Sequence, residues 1–170
     1  MQRFQASLGR KVVVMTGFVV VILVVVSASA VMFQRGMNPT AQLALIVLPF
    51  AALGIGLFFR VWSYDVHADH IRIRRIAFPV NLPIASLKRA EQTPELMRRS
   101  VRTFGNGGLF GFYGRFWKPG YGKFRAYITN PENTVLLQCD DKMVALSPDR
   151  PQDFVLLLRE RMDTAATPVK

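Results

Sequence analysis

The fold turns on residues 50–75, FAALGIGLFFRVWSYDVHADHIRIRR, where one side-chain pattern gives way to another. Up to Phe59 the stretch is apolar and carries no charge. From Trp62 onward it is aromatic and β-branched, and His70-Ile71-Arg72-Ile73-Arg74 alternates polar with apolar at a period of two. That period belongs to a half-buried strand, whose side chains point alternately into a core and out to water. The uncharged run upstream demands a helix, because in lipid only an internal hydrogen-bond ladder satisfies the backbone. The boundary between an apolar anchor and a soluble domain therefore falls between Phe59 and Arg60.

Working back from that boundary, no charged residue occurs from 36 to 59, and none from 12 to 34. Spanning a hydrocarbon core of about 30 Å takes about 20 helical residues at about 1.5 Å each. The sequence thus predicts a first transmembrane helix over 12–33, a short external loop over 34–38 and a second helix over 39–59. Asn38-Pro39 supplies an N-cap followed by proline at the first helical position. Pro49 predicts a kink, since it removes a donor and crowds the carbonyl of Leu45. Gly54 and Gly56 offer a flat surface for close helix contact. Arg3, Arg10 and Lys11 precede the hairpin, Arg60, Arg72, Arg74 and Arg75 follow it, and only Arg35 lies in the loop. The positive-inside rule then makes 1–11 a basic cytoplasmic N-terminus and places both termini in the cytoplasm. A rival reading takes Ala28-Ser29-Ala30 as a signal-peptide cleavage site behind Arg10-Lys11. The apolar run continues past it to Phe33, and cleavage would still leave a cytoplasmic domain behind one span.

Working forward, 60–163 reads as one soluble domain and 164–170 as a frayed tail. Strands are predicted over 62–66 and 70–74 around a turn at Ala68-Asp69. Val80, Leu82 and Ile84 alternate again, with Pro79 and Pro83 arguing for an edge. Further strands fall over 123–130, 134–139 and 142–146, the last two flanking an Asp140-Asp141 turn. Ser147-Pro148-Asp149-Arg150-Pro151 opens a closing helix on which Phe154, Leu157, Leu158 and Arg161 recur at helical spacing. Short serial strands followed by one helix describe a mainly β domain, an antiparallel sandwich or small barrel with a helix packed on it.

Arg102-Thr103-Phe104-Gly105, then Gly107-Gly108-Leu109-Phe110-Gly111-Phe112-Tyr113-Gly114, then 122–129 and Ser147-Pro148-Asp149-Arg150-Pro151 with Phe154, resemble the bacterial pleckstrin-homology-like (PH-like) domains that follow a short membrane anchor. The likeness covers roughly 63–162. It implies a seven-stranded antiparallel β-sandwich capped by a C-terminal helix, and a non-enzymatic role without cofactor. It also implies a multi-pass protein of the bacterial cytoplasmic (inner) membrane.

The net charge of +11 is concentrated: 13 Lys/Arg lie between Arg60 and Arg125, against four acidic residues. Arg72, Arg74, Arg75, Lys88, Arg89, Arg98, Arg99 and Arg102 are candidates for a face toward anionic lipid or a partner. Each such cation is worth about 1 kcal/mol near an anionic leaflet, which is non-specific attraction unless donors converge. The Gly-rich stretch 105–122 reads first as bulges and tight turns of a hairpin. Its second reading is a docking loop, in which Phe116 and Trp117 are exposed beside Arg115 and Lys118.

Other chemistry has thinner support. His67, Asp69 and His70 lack a further ligand nearby in sequence, and Cys139, the single cysteine, reads as a small buried apolar residue. No nucleophile sits in a recognisable catalytic motif. No helix-turn-helix, zinc finger or RNP-like order of residues points to nucleic acid, and the apolar anchor makes lipid the simpler source of negative charge. The expected role is a membrane-tethered interaction module for a protein partner or a second copy of itself, with sensing of anionic lipid headgroups as the alternative. A weaker alternative is an accessory subunit of a membrane enzyme or transporter.

Overall fold

The structure, a computed structural model, describes residues 1–32 and 38–166. Phe33, most of the connection expected at 34–38 with its Arg35, and residues 167–170 of the tail lie outside the described residues. Two long helices come first, α1 (Arg10–Met32) and α2 (Pro39–Phe58). Both are long and apolar enough to cross a membrane. At about 1.5 Å per residue the 23 residues of α1 extend about 35 Å. Asn38 caps α2 as expected, its Oδ1 accepting from the Thr40 backbone N–H at 3.0 Å. Val14, Phe18, Leu48 and Phe50 stand exposed on these helices, a surface compatible with a membrane hairpin.

The β part has two sheets. β1 (Gln2–Gln5), β2 (Val61–Val66), β3 (His70–Arg75) and β4 (Val80–Pro83) form an antiparallel sheet in that order. The second sheet holds β5 (Leu87–Gln92), β6 (Val101–Gly107), β7 (Phe112–Lys118), β8 (Gly122–Ile128), β9 (Val135–Cys139) and β10 (Met143–Leu146). Its order is β5-β9-β10-β8-β7-β6. A final helix, α3 (Pro151–Ala166), closes the chain.

The main core lies between the sheets and α3. Phe4, Tyr64, Ile71, Ile73, Leu137, Leu146, Phe154 and Leu158 are all buried there. Phe4 meets Phe154 edge-on with ring centroids 5.0 Å apart. Neighbouring residues on a strand face opposite ways, so Leu136, Phe124, Ala126 and Ala145 form a second cluster on the far side of the six-stranded sheet, under Leu96. The Tyr64 hydroxyl fastens the two sheets: it donates to the Tyr127 carbonyl at 2.7 Å and accepts from the Ser147 backbone N–H at 3.0 Å. Burial pushes its pKa up to about 12.

The helix-capped sandwich is present, with four departures from the sequence reading. Nine strands, not seven, lie between Val61 and Leu146, and β10 runs parallel to β8. The strand-to-strand route from β8 through the turn at Pro131–Asn133 to β9 and β10 returns the chain to β8 by way of a hairpin, which fixes that direction. Residues 1–11, expected as a basic N-terminal segment, contain a strand that the sequence reading did not place: β1 pairs with β2 in the register Gln2↔Val66 to Gln5↔Ser63. Segments on either side of the two long helices therefore lie side by side in one sheet. Gly56 does not serve helix–helix contact either: it faces Leu109 and Phe110, while Gly54 faces open space.

Candidate functional site

The Gly-rich stretch folds as the hairpin β6–β7, with a bulge between Arg102 and Phe104. Gly105 and Gly114 oppose each other at φ of +108° and +126°. A Cβ on either would fall 2.2 Å from a carbonyl oxygen of the other strand, so only glycine allows so close a backbone approach. The tip of this hairpin wedges against the foot of α1 and α2. The Thr16 hydroxyl accepts from the Phe110 backbone N–H at 3.0 Å and donates to the Gly108 carbonyl at 3.3 Å. Thr16 lies about 9 Å along α1 from Arg10, and Leu109 and Phe110 reach the surface of Gly56 near the end of α2.

Beside the wedge runs a trough along the sheet face of β6, β7 and β8. Strand register places Tyr113 opposite Tyr127, Arg115 opposite Arg125 and Trp117 opposite Lys123. Three adjoining hollows make up the trough, and Phe104, 75% exposed, borders all of them. The innermost, about 470 Å³, is walled by Ala52 and Ile55 of α2 and by Phe59 just after it, with Leu109, Tyr113 and Tyr127. Its single cation is Arg75. That guanidinium lies 5.2 Å from the centre of the Tyr127 ring and donates to the Phe78 carbonyl at 2.8 Å, while its buried Nε has no hydrogen-bond partner. The middle hollow lies over Arg115 and Arg125, and the outermost adds Lys123, Asp141 and Lys142. Like charges directly opposite on neighbouring strands repel. Among the described residues, none of the ion pairs involves Arg115, Lys123 or Arg125, and Asp141 is paired with Lys142 at 3.7 Å.

The basic residues singled out in the sequence are dispersed. Arg72 and Arg74 are exposed on β3, and Asp65, itself buried, holds Arg3 at 2.8 Å and Arg74 at 3.9 Å. Lys88 and Arg89 on β5 pair with Asp140 and Glu91. Arg98, Arg99 and Lys118 gather around the turn near Glu95 and Pro119, where Lys118 donates to the Glu95 carbonyl. Arg102 lies along Gly107. Only Arg75 and Arg115 reach the trough. Phe116, expected as an exposed docking aromatic, is buried and stacks on Phe124 at 5.9 Å, because alternation along β7 turns it into the second core. Trp117 is partly exposed on the other face.

Sequence reasoning missed Phe104, Lys123, Arg125 and Tyr127 as trough residues and Thr16 as a clasp. The alternation of Lys123, Arg125 and Tyr127 was visible, but their facing partners depend on strand order. His67 and His70 stack at 4.5 Å, with His70 Nδ1 2.7 Å from Asp69 Oδ1, and this hydrogen bond holds the Asp69 carboxyl below its usual range. Cys139 is buried, and burial pushes its thiol up.

A two-sheet sandwich closed by a C-terminal helix and preceded by two long apolar helices is the architecture expected of a PH-like domain with an N-terminal helical pair. The model of a bacterial PH domain family matches residues 62–162, and the chain belongs to that family. No curated protein and no solved structure matches it. Domains of this class are in general non-catalytic interaction modules.

Proposed function

We infer that this chain is a membrane-tethered interaction module of the cytoplasmic membrane, with α1 and α2 crossing the bilayer and both termini in the cytoplasm. The observation that carries this reading is the pairing of β1 with β2 across the helices. It ties both ends of the hairpin to one sheet, so a hairpin that crosses twice must hold the domain close against one leaflet. The exposed apolar side chains near the foot of α2 suit an interface belt. Trp62, under the Arg60 guanidinium at 4.4 Å, and Ile76 and Phe78, flanking Ala77 whose N–H donates to the Phe58 carbonyl at 2.9 Å, lie at headgroup level.

The partner in this reading is a protein, another chain or a second copy, that adds a strand to β6. This strand is an edge of the six-stranded sheet, and Val101 and Phe104 stand 56% and 75% exposed on it. An open edge recruits an extended segment through main-chain hydrogen bonds, while the bulge and Arg102 guard it against indiscriminate pairing. Cross-linking in native membranes followed by mass spectrometry tests this. Cross-links from 101–107 to a partner or a second copy are expected, and Thr103→Pro should abolish them. A chain that yields no intermolecular cross-link at any site would refute protein association.

A further inference from the structure

The trough is graded from end to end. Its inner hollow is walled by the last two turns of α2 and by aromatic rings, and its outer hollows carry Arg115, Lys123 and Arg125, none of them in an ion pair among the described residues, beside Asp141 and Lys142, which pair with each other. At about 470 Å³ the inner hollow falls within the roughly 300–1,000 Å³ usual for ligand sites. The apolar end adjoins the helix, and the basic end points away from it. An amphiphile lying along α2 with its tail inward and its anionic group outward has the same polarity.

The geometry points to a bound anionic phospholipid: one acyl chain enters between Ile55, Phe59 and Tyr127, and the phosphate reaches Arg115 and Arg125. Arg75, whose buried Nε has no partner, lines the inner hollow, and Phe104, Gly114 and Tyr127 connect that hollow to the one over Arg115 and Arg125. A phosphate there offsets the repulsion between Arg115 and Arg125, which stand opposite each other on β7 and β8. A peptide fits less well. The helix wall continues into the span rather than into solvent, and the six-stranded sheet offers open main-chain groups at its edge, not on this face. The inference rests on the reading of α1 and α2 as membrane spans.

The test uses the full chain, purified from its membrane in mild detergent, with bound lipid identified by native mass spectrometry. Retention of one anionic phospholipid in preference to phosphatidylcholine added in competition is expected. Arg115→Gln with Arg125→Gln, two exposed positions, should lower that retention at least about tenfold, since each cation near an anionic headgroup contributes on the order of 1 kcal/mol. Ala52→Trp, which fills the inner hollow from α2, should lower it independently. Lys88→Gln with Arg89→Gln should leave it unchanged. Absence of bound lipid, equal retention in all variants, or loss of a copurifying peptide instead of a lipid would each overturn the proposal. Alkaline carbonate extraction of the same membranes separates the two readings. A chain released from the membrane defeats the hairpin itself, whereas one that stays embedded without lipid defeats only the trough.

Discussion

Tyr64 shows how one hydroxyl can join two sheets. Its oxygen donates to the Tyr127 carbonyl and receives the Ser147 N–H, and the Ser147 hydroxyl in turn accepts from the backbone N–H of Thr129 at 2.8 Å. Tyr64→Phe leaves a buried donor and a buried acceptor without partners, and should cost about 1–3 kcal/mol. The pH dependence carries a second signature. The folded state holds the phenolic proton to about pH 12, against 10.0 for the ordinary group, so the unfolded state ionises first. The contribution is fully present below pH 10 and is lost as pH rises through 12. Tyr113, also pushed up by burial, acts in the same direction. Denaturant melts between pH 8 and 12 should show an alkaline fall in stability that is shallower in Tyr64→Phe, and equal slopes would contradict this assignment. None of this network follows from sequence, where Tyr64 is one aromatic in a strand and Ser147 reads as a helix-start residue.

Among the elements, the β6–β7 hairpin has the tightest sequence requirement. Gly114→Ala must move backbone, since its Cβ meets the Phe104 carbonyl oxygen at 2.2 Å and φ is +126°. We expect a destabilisation of about 1–3 kcal/mol for the strained residue, and faster amide hydrogen exchange over 101–118 with the core strands unaffected. Gly56→Ala should be mild, because the atom it meets, Leu109 Cδ2, is the end of a flexible side chain. The bulges and glycine turns of this hairpin were legible from glycine spacing. Its seat on α1 and α2 was not, because Thr16 in an apolar run gives no sign of which loop it will bind. β5 went unread for a related reason: Leu87–Gln92 carries three charged residues in six, and its pairing with β9 keeps only Leu87 and Ala90 buried.

For the whole molecule, β1 ties the segment before the two apolar helices to the domain after them. Phe4 is buried against Phe154 and stands opposite Tyr64 in the strand register, and Phe4→Ala should cost about 3–5 kcal/mol. The same contact bears on the cleavage reading: removing residues 1–30 would take Phe4 and a whole edge strand from the core. N-terminal sequencing of the membrane-bound protein should therefore recover β1, and a mature chain beginning after Ala30 would contradict the hairpin. Reporter fusions offer a second check. N- and C-terminal fluorescent-protein fusions should both fold and fluoresce on the cytoplasmic side, whereas opposite behaviour at the two ends would show that the hairpin does not cross twice.

Sequence alone determined the two apolar helices, the change to period-two strands after Phe59, the Asp140-Asp141 hairpin and the closing helix. Each of these is a local matter of hydrogen-bond satisfaction, side-chain period or turn chemistry, written within about twenty neighbouring residues. Tertiary structure alone decided that Gln2–Gln5 would pair with Val61–Val66, that β10 would lie parallel to β8, and that Phe116 would turn inward. It also decided that Arg115 and Arg125 would meet while Lys88 and Arg98 would not join them. Such outcomes depend on which strands become neighbours. Strand order is settled by the burial of both sheet faces at once, a condition spread over the whole chain and carried by no single stretch of it.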